Sequence, residues 1–285
     1  MVADQGSSLP SHPKPSSSKE LTTRILSAVV MIAAALLTAY WGGWPFALFW
    51  LAAGTAIMVE WTRMTGAEPR PLVQGVLALG LAVLTALLLA EASFGLFLLA
   101  GLVFLVTGIV VTRGGPSRIW SGSGFLYASL IVLVPPIVRD HPELGILGLL
   151  WMFAVVWATD IAAYFTGRTF GGPKLCPPIS PKKTWSGFVG GVVAAALCGV
   201  LVAWAGGAYG HSLPFGLPAV AVLSVVASVA SQIGDLGESA LKRHCNVKDS
   251  SHLIPGHGGV MDRLDGFWAV CLIVGAILLT IHLTA

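Results

Sequence analysis

Long apolar runs separated by short polar punctuation recur along almost the whole chain. About 20 apolar residues cross a hydrocarbon core of ~30 Å as a helix, and in lipid the helix satisfies its own backbone polar groups. The pattern predicts spans at about 24–41, 44–60, 72–90, 94–111, 125–138, 145–165, 186–206, 217–237 and 266–284, nine in all. Pro135 and Pro136 cut the fifth short, and Gly122 and Gly124 loosen its start, so a kinked or partly re-entrant segment is expected there. The fold class expected is therefore all-α, a polytopic integral membrane protein with its N-terminus inside and its C-terminus outside.

Charge supports this layout. Only 10% of residues are charged against 55% hydrophobic, which excludes an ordinary soluble domain. Of the 16 Lys and Arg residues, all but Arg139 fall on segments that nine spans place on the N-terminal side, the side that basic residues mark as cytoplasmic. Adding or removing a span scrambles that partition. The Ser- and Pro-rich start has too little apolar surface to order itself, so residues 1–23 read as a disordered cytoplasmic tail. Residues 24–140 then form an N-terminal helical part, and residues 141–285 a C-terminal part that holds the chemistry.

Cys176, Cys198, Cys245 and Cys271 have no C-x-x-C spacing and are expected to pack rather than ligate. Trp41, Trp44, Trp61, Trp185 and Trp204 fall near span ends and read as interface anchors, whereas Trp50, Trp157 and Trp268 read as core. Glu60 and Glu91 are placed at span ends, where a carboxylate reaches water. Asp160 differs, because it lies within the apolar run WMFAVVWATDIAAYF, and an ionisable group inside a span marks function by default.

Residues 235–265 are the densest polar stretch, with four Asp, one Glu, two Lys, two Arg and three His around a Gly-rich turn. Asp235, Glu238, Ser239 and Lys242 share one helical stripe, and Asp262 and Asp265 share a face at the start of the last span. Hard oxygen ligands without Cys favour Mg²⁺ or Mn²⁺ over zinc, and Mg²⁺ is usually held by one or two carboxylates plus substrate phosphates. Asp235, Asp262 and Asp265, with Asp160 as a fourth, are the candidate metal ligands. The loop after the sixth span adds Lys182 and Lys183 ahead of a helix start that Thr184 is placed to cap, an arrangement that suits phosphate. Lys182, Lys183, Lys242, Arg243, Lys248, His257 and Arg263 are the candidate phosphate binders. Pro173 interrupts the superficially P-loop-like run from Gly167 to Lys174, so a Walker A site is rejected.

The pattern S-A-L-K-R-x4-K-D-x5-P-G-H-G-G-x2-D-R-x-D, from Ser239 to Asp265, resembles the signature of the phosphatidate cytidylyltransferases, also called CDP-diacylglycerol synthases. DIAAYFTGRTFGG and PKLCPPISPKKTW resemble the same family, so the likeness is close over roughly 150–285 and extends to the first half only in hydrophobic layout. Two positions depart from it. Ser186 stands where a Glu is expected, and Ser251 where a Gly is common, which implies a local change in the turn from Lys248 to Pro255. The resemblance implies that CTP and phosphatidic acid give CDP-diacylglycerol and pyrophosphate with Mg²⁺ (or Mn²⁺), and that Asp235, Ser239, Lys242, Arg243, Asp262 and Asp265 form the catalytic set. It further implies an enzyme of phospholipid biosynthesis in a bacterial inner membrane, with its site facing the cytoplasm. Membrane lipid is a partner, a homodimer is compatible, and nucleic acid is not expected. The alternatives are a CTP-dependent polyprenol kinase, which would release CDP, and a lipid or anion transporter, which would spread charge over both faces. A CDP-alcohol phosphotransferase lacks support, since no D-G-x2-A-R motif is present.

Overall fold

The computed structural model describes residues 17–284, with side chains from 21 to 283. Among these, nine helices are long and apolar enough to cross a membrane. They are α1 (Ser17–Trp41), α2 (Gly43–Met64), α3 (Arg70–Leu89), α4 (Phe94–Val111), α5 (Gly115–Asp140), α6 (Gly145–Phe170), α7 (Trp185–Ala208), α8 (Leu217–His244) and α9 (Met261–Thr284). Between α6 and α7 lies a small antiparallel hairpin, β1 (Lys174–Cys176) and β2 (Ser180–Thr184), which the all-helical reading lacked.

The chain belongs to a polytopic all-α membrane fold, and contacts between its loops bear out the alternation of the spans. At one end, Ser27 on α1 bonds His257 before α9, the main chains of Glu68 and Arg113 join the 2–3 and 4–5 loops, and Trp120 lies against His244. At the other end, the Arg139 guanidinium donates to the carbonyls of Ala39 and Tyr40, taking up acceptors that the C-terminus of α1 leaves free.

Several expectations are corrected. Residues 1–16 of the expected tail lie outside the described residues, and residues 17–23 belong to α1. The fifth span is neither short nor re-entrant: α5 runs unbroken for 26 residues with both prolines inside. Two thirds of its span window is buried, the largest share of the nine, so packing offsets the lost main-chain bonds. Gly122 and Gly124 admit neighbours rather than loosening the helix. A side chain at 122 would strike Ile109, and one at 124 would strike the Trp61 ring. Trp61 is accordingly buried, donating to the Trp120 carbonyl at 2.8 Å, and is no interface anchor. Trp157, expected in the core, is exposed, whereas Trp41, Trp44, Trp185 and Trp204 are exposed as expected.

The site is held by close helix packing in the C-terminal half. Gly187, Gly191, Ala195, Gly199 and Ala203 form a small-residue stripe, four apart, buried along α7. It brings the backbones of α6 and α7 together, with Gly191 so near the Thr159 carbonyl that a Cβ there would lie 3.0 Å from it. The Thr159 hydroxyl donates to the Ser228 hydroxyl and the Trp151 indole N–H to the Ser224 hydroxyl, both at 2.8 Å, tying α6 to α8. Rings of Trp50, Phe153 and Phe267 stack across α2, α6 and α9.

Candidate active site

The carboxyl ends of α6 and α8, the hairpin, and the first turns of α7 and α9 enclose a polar cavity of about 770 Å³. Five carboxylates line it (Asp160, Asp235, Asp249, Asp262 and Asp265), together with six cationic side chains, Arg168, Lys174, Lys182, Lys183, Lys242 and Arg263. The two ends of the polar stretch are helical, as their spacing predicts, and only residues 245–260 form a loop. α8 continues to His244 and α9 begins at Met261, so Asp235, Ser239 and Lys242 stand on one helix and Asp262, Arg263 and Asp265 on another. Rigid elements thus present the charges from both sides.

Lys242 is the hinge between those helices. Its ammonium pairs with Glu238 one turn back on α8 and with Asp262 Oδ1 at 2.7 Å on α9. Asp262 is further held by the main-chain N–H and hydroxyl of Ser250 and by the Gly259 N–H. Gly258, at φ 83, sits so close that a Cβ would lie 2.7 Å from Asp262 Oδ2, so glycine is required there on two counts. Across the cavity, Lys183 on β2 pairs with Asp235 Oδ2 at 2.6 Å. Thr184 caps α7 by accepting from the Gly187 N–H, as its sequence position implied. Ser186, at the position where a Glu was expected, donates to the Gly171 carbonyl and pins the turn that follows α6.

The sequence candidates divide. Asp160, Lys182, Lys183, Asp235, Lys242, Asp262, Arg263 and Asp265 line the one cavity, and Ser239 stands behind it, 3.5 Å from Asp235 Oδ1. Arg243 and Lys248 are exposed and do not line it; the Arg243 guanidinium bonds the Val247 carbonyl, folded back on the end of α8. His257 does not reach the cavity either, because its Nδ1 lies 2.8 Å from the Ser27 hydroxyl on α1. Burial, helped by the Arg263 guanidinium, lowers its pKa below the usual histidine value. Arg168 at the end of α6, Lys174 on β1 and Asp249 in the loop after α8 also line the cavity, although the candidate set omitted them; the first two belong to the basic segment after the sixth span that suits phosphate. Glu60 was placed in water, but α2 extends past it to Met64, and the residue is buried, bonded to the loop before α9.

An apolar cavity of about 560 Å³, between α1, α2, α6 and α9, shares Asp160 and Arg263 with the polar one. Polar and apolar volumes therefore meet at two charged side chains.

The sequence profile of the cytidylyltransferase family matches residues 22–281. The chain belongs to that family. It is 41% identical over 257 residues to a phosphatidate cytidylyltransferase of Brucella suis, covering 89% of this chain and 92% of that one. A phosphatidate cytidylyltransferase of Haemophilus influenzae is 35% identical, over 87% of this chain and 95% of its own. One from Bacillus subtilis is 41% identical over 130 residues, 46% of each chain.

A divalent cation in such a site must find oxygen ligands. Asp262 takes hydrogen bonds from Lys242, Ser250 and Gly259, so a cation there would have to displace one of these donors. Asp160, Asp235 and Asp265 line the cavity as hard oxygen donors, yet among the described residues no three His, Cys, Asp or Glu side chains converge as a ready-made metal cluster. This set fits a cation that takes one or two carboxylates and completes its shell with substrate phosphate, which is the habit of Mg²⁺.

Proposed function

We infer that this chain is an integral membrane phosphatidate cytidylyltransferase, transferring the cytidylyl group of CTP to phosphatidic acid to give CDP-diacylglycerol and pyrophosphate. The observation that carries the reading is the meeting of the two cavities at Asp160 and Arg263. A dense set of cations receives a polyanionic nucleotide, and the adjoining apolar crevice receives the acyl chains of a lipid whose head group is itself a phosphate. The basic loops gathered at the same end as the cavity favour a cytoplasmic site in a bacterial inner membrane.

The chemistry asks little of a general base. A phosphate monoester is largely dianionic near neutral pH, with a second pKa of about 6, and is a competent nucleophile. Its oxygen attacks the α-phosphorus of CTP, the bond from that phosphorus to the bridging oxygen breaks, and pyrophosphate leaves with the electron pair. The protein's part is to hold two anions in line and to meet charge as it moves to the leaving group. Lys174, Lys182 and Lys183, on or beside the hairpin, suit the triphosphate, and Arg263, at the junction of the cavities, suits the lipid phosphate. Asp160, Asp235 and Asp265 would hold Mg²⁺, which neutralises phosphoryl oxygen charge when bound. Lys242, fixed between Glu238 and Asp262, keeps α8 and α9 in register.

The test is turnover by purified protein in detergent with CTP, phosphatidic acid and Mg²⁺. CDP-diacylglycerol and pyrophosphate are the expected products; release of CDP with a phosphorylated lipid alcohol would instead indicate a kinase, and absence of CTP turnover would reject the reading.

A further inference from the structure

Glu60 stands on α2, about 190 residues before the signature segment, yet its carboxylate is built into that segment. Oε1 accepts from the Ser251 hydroxyl at 2.6 Å and the Val260 N–H at 2.9 Å. Oε2 accepts from the Met261 N–H at 2.8 Å and lies 3.2 Å from the Ser250 hydroxyl, whose one proton is shared with Asp262. Each oxygen thus takes one main-chain N–H and faces one hydroxyl. The residue is 1% exposed and does not line the polar cavity.

The two main-chain donors belong to the start of α9, where helical N–H groups have no partner within their own helix. Glu60 therefore caps α9 from another helix. Ser250 carries the connection onward: its hydroxyl lies 3.0 Å from Asp262 Oδ2 and its N–H donates to the same carboxylate, which in turn holds Lys242. Gly259 admits the arrangement, since a Cβ there would strike both Ser250 Oγ and the Glu60 carboxylate. Ser251, where the resemblance led us to expect Gly, supplies the shortest of the four bonds.

We propose that Glu60 is a positioning residue for the reaction, fixing the 250–261 loop and the first turn of α9 so that Asp262, Arg263 and Asp265 meet the cavity in register. A Gln in its place has only one oxygen for two main-chain donors, so one N–H is left facing an amide N–H; the hydroxyls can rotate, but the main chain cannot. The inference rests on the proposed reaction only for its kinetic readout.

The experiment compares wild type, Glu60→Gln and Ser251→Ala, each as full-length protein in detergent, by hydrogen exchange and by steady-state kinetics with CTP, Mg²⁺ and phosphatidic acid. For Glu60→Gln we expect exchange to quicken over residues 248–264 while the other helices keep their protection, with kcat falling at least tenfold per folded molecule. Unchanged exchange in that segment, exchange quickened equally everywhere, or kcat and both KM values within twofold of wild type would overturn the proposal. Should Glu60→Gln fail to fold, Ser251→Ala decides: faster exchange confined to the same segment with a two- to fivefold loss of kcat supports it, and wild-type behaviour in both measurements overturns it. If wild-type protein makes no CDP-diacylglycerol, the reaction is misassigned, and the exchange comparison still determines whether Glu60 holds this loop.

Discussion

Lys242 on α8 and Asp262 on α9 stand 2.7 Å apart, with Glu238 closing the ammonium from its other side. One cation thus serves two largely buried carboxylates. Removing it strands Glu238 and takes one of several donors from Asp262. Lys242→Ala should cost about 3–5 kcal/mol of stability, the usual penalty for breaking a buried pair, and should lower the thermal midpoint as well as activity. Asp262→Asn keeps the shape and still leaves Glu238 for Lys242, so the fold should survive while kcat/KM falls at least about 100-fold, or ~2.7 kcal/mol. Full activity in Asp262→Asn, at wild-type stability, would sink the role assigned to this carboxylate.

Lys183 and Asp235 behave differently because their pair is partly open, with side chains 24% and 35% exposed. Such a pair contributes only about 0–1 kcal/mol to stability. Lys183→Met and Asp235→Asn should therefore leave the thermal midpoint nearly unchanged and lower kcat/KM tenfold or more. A large loss of stability with activity retained would mark the pair as structural.

The α6–α7 contact is a packing prediction. Gly191→Leu places a side chain where a Cβ already lies 3.0 Å from the Thr159 carbonyl, and overpacking of this kind costs typically 1–3 kcal/mol. Because α6 carries Asp160 and the hairpin before α7 carries Lys182 and Lys183, activity should fall with stability. Gly207→Ala, with open space around it, is the control and should change neither.

His257 sets a pH dependence. Its pKa is lowered from the ordinary 6.5 by burial first and then by the charges of Arg263 and Arg24, with the Pro255 main-chain contact acting the other way. Above pH 6.5 the group is neutral folded or unfolded, so stability is fully present there. As pH falls from 6.5 toward the folded pKa, the unfolded chain binds a proton that the folded one resists, and stability declines. The thermal midpoint of wild type should thus fall more steeply between pH 7 and 5.5 than that of His257→Gln; parallel curves would show that His257 contributes no such term.

The sequence by itself determined the class of fold and named most of the charged side chains that line the polar cavity. Apolar runs of the length that lipid demands gave nine spans, and the one-sided placement of basic residues gave their alternation, because both are set by local composition against a solvent of fixed thickness. Asp160, Asp235, Asp262 and Asp265 were legible because a carboxylate beside or within an apolar run has a cost that needs a reason. The family signature was legible for the same segment. Only the tertiary structure decided what each charge faces. Arg243 and Lys242 are neighbours in sequence, yet 100° of helical rotation per residue sends one to solvent and the other between two carboxylates. Asp262 is held by a lysine, a hydroxyl and main-chain N–H groups, partners that its place in the sequence did not reveal. The sequence placed Glu60 at a span end but gave no sign of what it meets, since its four partners lie 190 to 201 residues away and are brought to it by the packing of α2 beside the start of α9. Periodicity reports which face of a helix is apolar; which helix that face meets is a property of the folded chain.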